Sequence, residues 1–207
     1  MDLLHEIRQR AGAGNLISGE NELLGYKRIS ANEARKNTPP PKESAVLFPL
    51  FQRNGEWHTA FIQRPSGSGI HSGQLSFPGG KIESGETSDI AAMRETEEEI
   101  GIHASSIQIE CGLSEIYIPP SNFIVQPFVG LIAENPFFTA NEAEVQQIIE
   151  YPVLAFLRND IIVQREVYIA VYQKEMTVNC FDIHGFTLWG ATAMMVQEFR
   201  SAMGFKG

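Results

Sequence analysis

"GGKIESGETSDIAAMRETEEEIG", residues 79–101, places seven acidic residues in a segment with glycines at both ends. Thr87 or Ser88 can cap a helix here and Gly101 can end it, so the pattern predicts a helix from Thr87 to Ile100. At roughly 100° per residue, Ile90, Met93, Thr96 and Ile100 share the side expected to face a core. Glu95, Glu98 and Glu99, related by i, i+3 and i+4, gather on the opposite side, and Glu97 falls beside the apolar face.

That gathering is costly. Like charges three and four apart repel by a few tenths of a kcal/mol each, and carboxylates in the last turn oppose the helix dipole by roughly 0.3–1 kcal/mol. A solvated acidic face is the simple reading of a Glu-rich helix, but it leaves both costs standing. A hard cation such as Mg²⁺ or Mn²⁺ offsets both, since it takes oxygen ligands and keeps waters that can yield to substrate phosphates. Glu95, Glu98 and Glu99 are therefore candidate metal ligands.

At these residues the sequence resembles the Nudix hydrolase family. Gly80, Glu86, Arg94, Glu95, Glu98, Glu99, Gly101 and Ile102 stand at the spacings of its signature, and Thr96 occupies a position that is usually aliphatic. The resemblance implies an α/β protein, an α/β/α sandwich with a mixed sheet and a loop–helix–loop catalytic motif. It also implies an enzyme that cleaves a nucleoside diphosphate linked to another group. By that similarity the metal is held by Glu95, Glu98 and Glu99 together with the backbone carbonyl of Gly79. Arg94 orients the carboxylates, and Glu86 supports the loop by pairing within the motif. Glu98 is the first choice for the general base. Family members often add a carboxylate after the central sheet, a position that Glu144 resembles. Glu142 and Glu144 are also accounted for as carboxylates at the start of a helix predicted over 142–150.

The flanks narrow the resemblance. Arg64, His71, Gly73, Gln74 and "FPGG" (77–80) resemble the extra motif of the coenzyme A diphosphatase branch, "LWGATAMM" (188–195) its final helix, and "SAVLFPLF" (44–51) its opening strand. The implied substrate is coenzyme A or its thioesters, cleaved to 3′,5′-ADP and 4′-phosphopantetheine. One departure stands out: a second arginine of that motif is Gly69 here, while Pro65 and Ser68 replace a serine and a leucine. Arg64 and Lys81 remain as nearby cations for substrate phosphates. His71 reads equally as a structural histidine of the glycine-rich loop and as a substrate contact, and Gln74 as structural or substrate-positioning. Trp189 is expected in the core. ADP-ribose, a nucleotide sugar, a dinucleotide or a nucleoside triphosphate would suit the same chemistry, and a non-catalytic nucleotide sensor is the rival outside it.

The rest of the chain agrees with a single layered domain. Its 207 residues are enough for one substantial core, and the formal net charge of −9 argues against nucleic-acid binding. Cys111 and Cys180 suggest neither a disulfide framework nor a zinc cluster. "MDLLHEIRQR" reads as a short amphipathic helix rather than a signal peptide, and no apolar run reaches membrane-spanning length, so a cytoplasmic setting is expected. Residues 1–43 read as a helical arm and Pro-rich connector, and 44–207 as the hydrolase domain. Strands are predicted at 44–51 and 58–64 around an Asn54-Gly55 turn, then at Ile107–Cys111, Glu115–Ile118, Phe123–Ile132 and Ile161–Tyr172, with a last helix from about Thr187 to Met203. Oligomeric state is left open, a homodimer included.

Overall fold

A computed structural model describes Leu3, His5, Ile7 and residues 29–67, 71–169 and 172–204. Gly69, where the motif departs from its pattern, lies outside the described residues. A single helical turn, α1 (Ala31–Ala34), precedes strands β1 (Lys42–Arg53), β2 (Glu56–Gln63), β3 (Leu75–Ser76) and β4 (Gly79–Lys81). Helix α2 (Ser88–Ile100) follows, then β5 (Gln108–Gly112), β6 (Ile116–Ile118), β7 (Phe123–Leu131) and β8 (Gln147–Pro152). The chain closes with β9 (Ile162–Ile169), β10 (Lys174–Ile183), β11 (Phe186–Leu188) and helix α3 (Gly190–Ala202).

β1 organises the molecule because both of its faces are apolar. Ala45, Leu47 and Phe51 enter one core with Ala91, Ala92 and Ile100 of α2. Phe48 and Leu50 enter the other with Ala193, Val196 and Phe199 of α3. Period-2 alternation of apolar residues on both faces requires a cover on each side, and the two helices supply it. The expected α/β/α sandwich is the observed one. Its sheet is mixed: β7 runs parallel to β1 from Lys42↔Phe123 to Leu50↔Leu131. β2 is antiparallel, and the Asn54-Gly55 turn with φ of 53° and 83° joins it to β1 as predicted. A second sheet, β11-β10-β9, stands apart from the main one. Leu3 and Ile7 are helical and buried in the core on the α3 side. No described helix is long and apolar enough to cross a membrane.

Five expectations are corrected. Residues 142–150 are not a helix: the chain turns at Asn141, whose carbonyl accepts from Glu144 and Val145, and Gln147–Pro152 is strand β8 on β2. β-branched Ile148 and Ile149 and then Tyr151 suit that half-buried strand, so sheet pairing overrides local helix propensity. The strand read as ending near Tyr172 is the first half of a hairpin, β9–β10, and Thr187 belongs to β11, with the last helix starting only at Gly190. Thr87 sits at the N-cap of α2, but its hydroxyl donates to Asp89 rather than accepting a backbone N–H. Finally, Ile90 is half exposed, at 50%, while Ala91, Ala92 and Thr96 are buried. The helix is rotated relative to the simple wheel, and small alanines let it lie close on the sheet.

Candidate active site

The rotation of α2 carries Glu99 inward. Glu99 is 1% exposed, and its Oε2 accepts the Gly79 N–H at 2.8 Å. The segment that brings Gly79 there is pinned by packing. The Phe77 ring lies between Phe48 and Phe61, with centroids 4.3 and 4.8 Å away, and the Pro78 carbonyl accepts the Leu47 N–H. β4 then pairs antiparallel with Ser44–Val46 of β1. Two glycines are needed because the helix and two strands converge. A Cβ on Gly79 would overlap the Ala45 carbonyl oxygen and stand 2.5 Å from Val46 Cα, and one on Gly80 would stand 2.5 Å from Glu95 Oε2.

Arg94 ties the loop to the helix. Its Nε donates to Glu86, Nη1 to Glu95 and Glu98, and Nη2 to Glu86 and the Lys81 carbonyl, at 2.9–3.2 Å. Every N–H of a guanidinium is thereby matched to an acceptor. Glu86 also accepts the Glu83 N–H, and the Arg94 guanidinium holds its carboxyl below the usual range. Burial pushes the Glu95 carboxyl up, with Arg94 opposing, and pushes Glu99 up to about 7 against the pull of the Gly79 N–H and the Arg64 charge. The negative charges of Glu95 and Glu144 add to the burial effect on Glu99. Arg94→Lys, with three donors in place of a planar fork of five, is expected to fold and lose at least about tenfold in turnover. Steady-state assays beside a thermal melt check this, and unchanged turnover would show that the fork does not set carboxylate positions.

These groups open into one cavity of about 730 Å³. Glu95, Glu99 and Glu144 line it together, as do Gly79 and Lys81 from β4. Arg64, His71 and Gln74 line it too. His71 Nδ1 and Gln74 Oε1 are 3.1 Å apart, and Arg64 Nη2 donates to the Gly79 carbonyl at 3.4 Å. Glu98 is not brought in: its side chain is 54% exposed, held by Arg94 outside the lining. Glu144 sits in a turn instead of at a helix start, so helix-dipole stabilisation does not account for it. Trp189, expected in the core, is half-buried and lines the cavity.

Residues 40–168 match the NUDIX domain model. The chain belongs to the Nudix family. Among relatives, Nudix hydrolase 22, chloroplastic, of Arabidopsis thaliana is 33% identical over 84% of this chain and 63% of its own length. The Citrobacter koseri protein described as the uncharacterized Nudix hydrolase NudL is 30% identical over 90% of this chain and 95% of its own. The fold is similar to that of the Nudix hydrolase RenU from M. smegmatis, with a TM-score of 0.56 at 16% identity over 79% of this chain and 86% of that one. This Nudix protein is a pyrophosphohydrolase acting on a nucleoside diphosphate derivative.

The donors of the site, carboxylate and carbonyl oxygens, are those that a hard divalent cation takes. Among the described residues no three His, Cys, Asp or Glu side chains are drawn into a ready-made cage. Yet three carboxylates face one cavity, and the innermost is buried at a cost that a positive charge would relieve. The site fits a hard cation. Sequence reasoning missed part of the lining of this Nudix cavity: Ile169, Tyr172 and Met176 come from the β9–β10 hairpin. Alternation of Met176, Val178 and Cys180 marks β10 as a strand, but nothing local ties it to the carboxylates.

Proposed function

We propose that the protein hydrolyses the diphosphate of coenzyme A or its thioesters with Mg²⁺ or Mn²⁺, releasing 3′,5′-ADP and 4′-phosphopantetheine or its acylated form. The observation that carries the reading is the convergence of Glu95, Glu99 and Glu144 on the cavity that Arg64, His71, Gln74 and Lys81 also line. Glu95 and Glu99, with the Gly79 carbonyl, would hold the cation, while Glu98, the third ligand expected from the sequence, is turned to Arg94 outside the lining. When bound, such a cation neutralises diphosphate oxygens and makes a nearby water more acidic.

The chain's own residues do the rest. Arg94 fixes Glu95 against Glu86, so the Glu95 carboxylate meets the substrate without reorganising. Arg64 and Lys81 orient the diphosphate, and the His71–Gln74 pair shapes the edge where it enters. Two carboxylates compete to take the proton of the attacking water. Glu98 is the first choice from the sequence, but the place of Glu144 in the cavity favours Glu144. A cytoplasmic setting is part of the proposal and suits the free thiols of Cys111 and Cys180. The partner is a small molecule, and with a net charge of −9 no nucleic acid is expected.

The test compares kcat/KM for coenzyme A, dephospho-coenzyme A and ADP-ribose at fixed Mn²⁺. Coenzyme A is expected ahead of ADP-ribose. Dephospho-coenzyme A should follow closely, because Gly69 stands where an arginine would have paired with a phosphate. ADP-ribose as the best of the three would overturn the substrate assignment. The same panel read against a thermal melt should show Mn²⁺ raising Tm over EDTA, by about 2.7 kcal/mol of linkage at a hundred times Kd. No shift at any metal concentration would overturn the cation site.

A further inference from the structure

The segment before β1 is fastened to the turn between β6 and β7. Ala31 and Ala34 of α1 pack with Tyr117 and Ile124, and Arg35 donates to both carboxylate oxygens of Glu115, at 2.7 and 2.8 Å. Asn37 Nδ2 donates to the Tyr117 hydroxyl at 3.3 Å, and that hydroxyl donates to Asn122 Oδ1 at 3.0 Å. Asn122 completes the tie. Its Nδ2 donates to the Pro39 and Pro40 carbonyls at 3.4 Å each, and its own carbonyl accepts the Lys42 N–H at 2.9 Å.

Asn122 closes a short turn, Pro119–Ser121, and does so with φ of 53°. Asparagine accepts that left-handed backbone more readily than most residues. Ile118, Pro119, Pro120, Ser121 and Phe123 line the active-site cavity, and Asn122 is absent from the lining. Proline has no N–H to donate, so two of the turn's three residues supply no backbone donor to fix it against a neighbour. Its anchorage comes instead from Asn122, the next residue along. The exposed Arg35–Glu115 pair adds little by itself, whereas Tyr117 is buried and bridges Asn37 to Asn122.

We propose that Asn122 is a positioning residue for the active site. It ties residues 31–41 to the Pro119–Ser121 turn, and so holds that stretch of the cavity lining in place for substrate. The segment read from the sequence as a connector outside the hydrolase domain is thereby part of the scaffold of the site. A lining already held in place costs the substrate no ordering on binding, so loss of the tie raises KM and spares the chemical step. Any nucleoside diphosphate derivative that the cavity cleaves would feel this tie, coenzyme A or another.

The experiment measures kcat and KM at fixed Mn²⁺ on whichever of coenzyme A, dephospho-coenzyme A and ADP-ribose the wild type cleaves best. It uses Asn122→Gly, which keeps the positive φ and removes the side-chain amide, and Tyr117→Phe, which removes only the bridging hydroxyl. Asn54→Gly is the control, because Asn54 has the same φ of 53° in the β1–β2 turn, outside the cavity lining. A thermal melt with and without Mn²⁺ checks that each variant folds and keeps its cation site. Asn122→Gly is expected to raise KM at least about fivefold with kcat within about twofold of wild type, and Tyr117→Phe to raise KM about threefold. The double variant should do no worse than Asn122→Gly alone, since both cut one tie and coupled residues are not additive. An unchanged KM in the folded variants would overturn the inference, as would an equal rise in Asn54→Gly or a loss confined to kcat. Should Asn122→Gly not fold, Tyr117→Phe decides alone. ADP-ribose as the best substrate would remove the coenzyme A reading and leave this comparison intact.

Discussion

Gly80→Ala is expected to fold and to lose turnover by at least about a hundredfold. The three atoms nearest the added Cβ all belong to the carboxylate of Glu95, the far end of a flexible side chain. Such a group swings aside cheaply, so the fold should remain within about 1–2 kcal/mol of wild type. Catalysis is less forgiving, because a displacement of about 1 Å in a catalytic group can cost about a hundredfold. Here the moved group is a proposed metal ligand that also bonds Arg94 at 2.9 Å. The Mn²⁺-induced rise in Tm should shrink along with turnover, which separates lost metal from general damage. A folded variant with wild-type turnover would remove Glu95 from the site.

Gly79→Ala, one residue earlier, is expected to fail in the opposite way. Its Cβ would overlap Ala45 and Val46 backbone atoms, and Gly79 has φ of 151°. Backbone in a paired strand cannot swing away, so β4 must separate from β1, and the Gly79 N–H must leave Glu99 in the interior. Losing one buried charged acceptor's partner together with strand pairing places the cost at about 4 kcal/mol or more, a large share of a typical domain's stability. Thermal unfolding followed by circular dichroism should show Tm lower by about 10 °C or more. A melt within 2 °C of wild type would show that the strands part without penalty.

The contrast explains what could be read from the sequence. The motif's spacing placed Glu86, Arg94, Glu95, Glu98 and Glu99 on one loop and helix, because i, i+3 and i+4 geometry is local. The direction in which the helix faces was not legible: on a wheel, alanine ranks below isoleucine, so Ile90 seemed to mark the core. In the folded chain, close approach to the sheet decides, and Ala91 and Ala92 take the inner side with Glu99. Val145, Ile148 and Ile149 likewise carry helical spacing, and only the exposed edge of β2, distant in sequence, turns them into a strand. Arg64, His71 and Gln74 were found by resemblance. Tyr172 and Met176 were not, because a hairpin far along the chain reaches the cavity only through tertiary packing.

The parallel pairing of β1 with β7 also bears on how the molecule comes into being. Lys42 meets Phe123 and Leu50 meets Leu131, so each partner lies about eighty positions along the chain, and α2 with all its glutamates lies in the enclosed loop. Closing so long a loop costs entropy before any strand contact returns it, and folding rates fall as contacts become less local. Folding on the millisecond-to-second scale of non-local topologies is the natural expectation. On a ribosome, the acidic helix can already lie on β1 and β4, but the parallel pairing that completes the sheet must wait until the segment through Leu131 has emerged.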